Sequence, residues 1–95
     1  MDGMDEAGLK TRKLDQALRT VMEQGTVERV SVIVQTVDGL KDDDRRTVDS
    51  LGGRVKDDLY IINAFSAELS PKAIEMLILS DRVVKIFHDA EVRAQ

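Results

Sequence analysis

The stretch 52–71, GGRVKDDLYIINAFSAELSP, constrains this chain more than any other part of it. Its glycine pair can end a helix, since a residue without a Cβ enters the left-handed region that closes a last turn. An apolar-rich run to Ile62 follows, and Asn63 marks a turn. Residues 64–69 then alternate, with Phe65, Ala67 and Leu69 on one side and Ala64, Ser66 and Glu68 on the other. That period of two belongs to a half-buried strand. Ser70-Pro71 reads as a helix start, because a serine hydroxyl accepts from a first-turn N–H and proline fits the first helical position. Leu69 is then placed to staple onto Ile74. The centre of the chain is therefore a helix end, two strands and a helix start.

The flanks supply what this centre lacks. Residues 29–37, RVSVIVQTV, set Val30, Val32 and Val34 against Ser31, Ile33 and Gln35, a strand pattern rich in β-branched residues. After Asp38-Gly39, residues 41–51 are expected as a short helix marked by Leu40, Val48 and Leu51. Its first-turn acids suit the positive end of the helix dipole. Residues 54–62 are expected as one strand, bent or bulged at Asp57-Asp58. The helix from Pro71 is expected to reach Leu79 with Ala73, Ile74, Leu77 and Ile78 inward. Residues 83–88 close the pattern as a strand, with Val84 and Ile86 on one side and Val83, Lys85 and Phe87 on the other. Ahead of all this, Leu14, Ala17, Leu18, Val21 and Met22 predict one amphipathic helix over 7–24, stopped by Gly25.

After that first helix the order is strand, helix, strand, strand, helix, strand. With right-handed crossovers this is an α+β, ferredoxin-like split βαβ: a four-stranded antiparallel sheet with two helices on one face. Three segments follow: a leader and accessory helix in 1–27, the ferredoxin-like domain in 28–89, and an extended tail in 90–95. The two helices cover one face of the sheet, which leaves Ser66, Glu68, Val83, Lys85 and Phe87 on the other. Two arrangements fit that pattern: the face is an interaction surface, or the N-terminal helix covers it.

Composition narrows the function. The 95 residues hold three aromatics and no cysteine, which excludes disulfides and thiolate chemistry. The single histidine, His88, has no partner motif, and no metal, phosphate-loop or nucleophile-elbow signature occurs. Neither a catalytic residue nor a cofactor is assigned. A net charge of −4 without a basic cluster argues against nucleic acid. No apolar run approaches the ~20 residues of a membrane span, so no membrane partner is expected.

Taken together, GGRV, LYIINAFSAELSPKAIEML and DRVVKIFHDAEVRAQ resemble the propeptide, or inhibitor domain, of subtilisin-type serine proteases over residues 29–95. Gly52, Gly53, Val55, Asn63, Ala64, Ser66, Ala67, Leu69, Val83, Ile86 and Asp89 stand at the positions shared with that family. The resemblance implies an intramolecular chaperone and product-like inhibitor, secreted within a precursor whose signal peptide lies outside this chain. It implies that the open face, with Ser66, Glu68, Val83, Lys85, Phe87 and Asp89, docks on two helices of the protease. It further implies that Val92, Arg93, Ala94 and Gln95 run along the substrate cleft as an added strand, Gln95 filling the primary specificity pocket. Asp89 would cap one docked helix. Where a second acid is common Phe87 stands, leaving apolar contact, Glu68 or Glu91 for the other. A freestanding inhibitor of such proteases, or a small-molecule-binding regulatory domain of the same fold, are the alternatives.

Overall fold

The computed structural model describes residues 6–25 and 28–89 of the chain. Two short helices, α1 (Glu6–Lys13) and α2 (Gln16–Gln24), precede β1 (Val30–Thr36), α3 (Asp42–Ser50), β2 (Arg54–Leu59), β3 (Ala64–Leu69), α4 (Pro71–Leu77) and β4 (Val83–His88). The strands form one antiparallel sheet in the order β2-β3-β1-β4. This is the ferredoxin-like split βαβ arrangement expected from the element order.

One face of the sheet builds the core. Val30, Val32 and Val34 of β1, Phe65, Ala67 and Leu69 of β3, and Ile86 of β4 are buried against Val48 of α3, Ile74 of α4 and Ile78 just beyond it. Each such side chain removed from water contributes about 1.5–3 kcal/mol before entropy is counted. The elements close as their sequences dictate. The Ser70 hydroxyl accepts from the Ala73 N–H at 3.1 Å. Leu69 and Ile74 on either side of it are both fully buried, as a hydrophobic staple requires. Gly52, at φ 81°, takes the left-handed conformation after α3. Gly53 is held for a different reason: a Cβ there would lie 2.5 Å from Leu69 Cδ2 and 2.6 Å from the Glu68 carbonyl oxygen.

Four expectations need correction. The expected helix over 7–24 is two helices, broken where Leu14 forms a parallel bridge to Ile86. There the Asp15 N–H donates to the Ile86 carbonyl at 3.2 Å, and the Asp15 carboxylate caps α2 by accepting from the Leu18 N–H at 3.0 Å. The second strand ends at Leu59 and continues as a 3-10 turn, Tyr60–Ile62. The last helix stops at Leu77, two residues early. The fourth correction, the facing of Val83 and Val84, bears on the site.

The N-terminal helices seal the β4 edge and flank α4. Leu9, Leu14 and Leu18 join the core. Lys13 Nζ donates to the Ile78 and Ser80 carbonyls, both at 2.9 Å, so α1 caps the end of α4. Burial, and then the neighbouring Arg12, pull the Lys13 ammonium below its ordinary pKa, while Asp81 pulls upward. About one turn back along α4, Lys10 pairs with Glu75 at 3.2 Å.

Candidate protein-docking face

The sheet face opposite α3 and α4 carries no helix of the described chain, and its strand registers align side chains in rows. Asp57 stands opposite Ser66, Ser66 opposite Ile33, and Ile33 opposite Phe87. One row over, Arg54 faces Glu68, and Glu68 faces Ser31. On the other side Leu59, Ala64, Gln35 and Lys85 form the third row. Ile33 and Phe87, both half-buried, therefore sit side by side at the centre of the face. Small residues of β3 flank them and charged side chains ring them.

Polar contacts order this ring. Arg54 Nη2 reaches Glu68 Oε1 at 3.4 Å. Lys56 is the extra residue where the β2–β3 register shifts between Val55 and Asp57. Its Nζ crosses β3 to donate to Ser31 Oγ at 3.3 Å. Lys85 Nζ lies over the Phe87 ring, 5.5 Å from its centre, a cation–π placement. These exposed pairs contribute little stability each. Their effect is to hold long side chains at the border and leave the middle apolar.

Of the sequence-derived site residues, the fold brings Ser66, Glu68, Lys85 and Phe87 onto this face. Ser66 is only 5% exposed; its Oγ accepts from the Asp57 N–H at 3.1 Å, so it shapes the floor and does not project. Val83 does not belong to the face. The β1–β4 register shifts so that Gln35 opposes Lys85 and Thr36 opposes Val83. Val84 becomes the extra residue of a bulge. Val83 turns into the core at 4% exposure, and Val84 is the exposed valine. Asp89 ends β4, its N–H donating to the Ser31 carbonyl at 2.9 Å. Its side chain is buried, and among the described residues Oδ1 has no hydrogen-bond partner, which is costly for a buried polar atom. Val92, Arg93, Ala94 and Gln95 lie outside the described residues.

Ile33, Arg54 and Lys56 also lie on this face and are not among the sequence-derived site residues. Ile33 was legible, since it alternates with the core valines of β1. Lys56 was not, because its position depends on a bulge. The N-terminal helices meet β4 at its edge through Leu14 and Asp15, so of the two arrangements above the one in which they cover the face does not hold among the described residues. Among the described residues no His, Cys, Asp and Glu side chains gather as a metal site, and no helix is long and apolar enough to cross a membrane. No protein-family model, no curated protein and no solved structure matches this chain.

Proposed function

We propose that this chain is the prodomain of a subtilisin-type serine protease, a folding chaperone and inhibitor of that protease and not itself an enzyme. The observation that carries the reading is the uncovered sheet face with Ile33 and Phe87 at its centre, from which β4 leads directly into residues 90–95. A flat apolar centre inside a polar ring is the composition of a protein-docking surface. The resemblance of residues 29–95 to the subtilase inhibitor domain supplies the partner, and the segment Val92, Arg93, Ala94 and Gln95 would lie in its cleft as a non-productive strand. Secretion within a precursor belongs to the same proposal.

The test is steady-state hydrolysis of a peptide substrate by purified subtilisin-type proteases with the chain added. Inhibition at micromolar concentration is expected. Deleting residues 92–95 is expected to weaken it by about a hundredfold or more, roughly 2.7 kcal/mol, with the circular dichroism spectrum unchanged. No inhibition by the full chain, or unfolding on deletion, contradicts the proposal.

A further inference from the structure

A second apolar surface lies apart from the centre of the open face. The turn between β2 and β3 exposes Tyr60, Ile61 and Ile62 at 72%, 83% and 52%, and Val37, just beyond β1, is 57% exposed. They share one end of the sheet. Thr36 N–H donates to the Asn63 carbonyl at 2.9 Å, and Gln35 Nε2 donates to the Ile62 carbonyl at 3.3 Å. The turn is shaped as well as apolar: residues 58–62 surround a shallow notch of about 290 Å³. Isolated exposed side chains need no explanation, but three consecutive ones with a fourth beside them mark a contact surface. Asn63, at φ 55°, fixes the turn in a left-handed conformation that only glycine, asparagine and aspartate adopt readily.

Charge indicates what would cover it. Asp58, at the rim of the notch, is exposed. Asp38, beside Val37, keeps half its surface in water although it pairs with Arg82 at 2.7 Å. The cations Arg12 and Lys13 lie across β4, beside Val84 and Asp81. An acidic border repels an anionic bilayer, and a two-fold pairing of two copies at this end would set the same acids against each other. We propose that the Tyr60–Ile62 turn is a second docking site, independent of the open face, for an apolar protein surface bordered by lysine or arginine. Ile61 enters the partner's apolar groove, the notch receives one apolar side chain in return, and the Asp38 and Asp58 carboxylates face the basic border.

The experiment is an amide-resonance titration of the full chain with two short amphipathic helical peptides, one Leu/Lys and one Leu/Glu. Sedimentation of the chain alone and flotation with phosphatidylserine vesicles accompany it. The Leu/Lys peptide is expected to shift resonances of Val37 and residues 58–63. Ile61→Asp should weaken that binding by about tenfold or more while the folded spectrum is kept, and Ile33→Asp should leave it unchanged. Shifts centred on Ile33 and Phe87, equal binding of the Leu/Glu peptide, or no binding overturns the proposal. So does self-association or vesicle binding that Ile61→Asp abolishes. Because Ile33→Asp addresses the open face alone, failure here and failure of the prodomain reading are separable.

Discussion

At the residue scale, Gly52 and Gly53 do different jobs although they are neighbours. Gly52 needs a positive φ, whereas Gly53 needs the absence of a Cβ against backbone and the Leu69 side chain. Gly53→Ala is therefore expected to cost about 2–3 kcal/mol, at the upper end for overpacking. Gly52→Ala should cost about 1 kcal/mol, the left-handed penalty. Urea denaturation of both variants checks the order, and equal costs would contradict it. The pair was legible in the sequence as a helix stop, but the close approach was not, because it depends on β3. Arg82 was equally silent. Its guanidinium donates to Asp44 Oδ2 and Asp38 Oδ1, both at 2.7 Å, and to the Gly39 carbonyl at 3.0 Å. Those partners lie some forty positions upstream, so no local pattern reveals them.

At the element scale, alternation and capping fixed β1, β3, β4 and the start of α4 closely. The failures have a common cause, which is that a bulge or a break is decided by a neighbouring strand. Val83 and Val84 are chemically alike, and only the pairing of Thr36 with Val83 decides which turns inward. Similarly, the stripe of 7–24 is continuous in sequence, yet β4 draws the Leu14 and Asp15 backbone into its own edge. Asp15 is then a junction, since its carboxylate also accepts from the His88 N–H at 3.4 Å. Asp15→Ala is expected to lower stability by about 1–2 kcal/mol, with faster hydrogen exchange in α2 first. Lys13 makes a signed prediction. Its folded pKa lies below the unfolded 10.5, so its share of stability is complete above 10.5 and declines as pH falls through the folded value. Lys13→Met should remove that alkaline rise from the stability–pH curve. A variant curve parallel to the parent through this range would show that the two carbonyl contacts offset burial.

At the scale of the whole molecule, two helices suffice to cover one face of a four-stranded sheet, and the N-terminal pair is spent on the β4 edge. That leaves the Ile33–Phe87 face open, and closing the edge removes one route to unwanted strand pairing. The opposite edge, β2, is protected differently, by a bulge and by Lys56, Asp57 and Asp58. The architecture could be read from the sequence, because element order implies it; the open face could not, because a further amphipathic stretch stood ready to cover it and only its docking at the β4 edge decides. The apolar centre was read only in part: Phe87 was assigned to it, while Ile33 looked like one more β-branched strand residue. The most direct measurement is the inhibition constant against a subtilisin-type protease for Ile33→Asp and Phe87→Asp, each beside its thermal midpoint. Inhibition weakened about tenfold or more, at least ~1.4 kcal/mol, is expected in both variants, with midpoints near the parent's. Undiminished inhibition by two folded variants would contradict the prodomain reading.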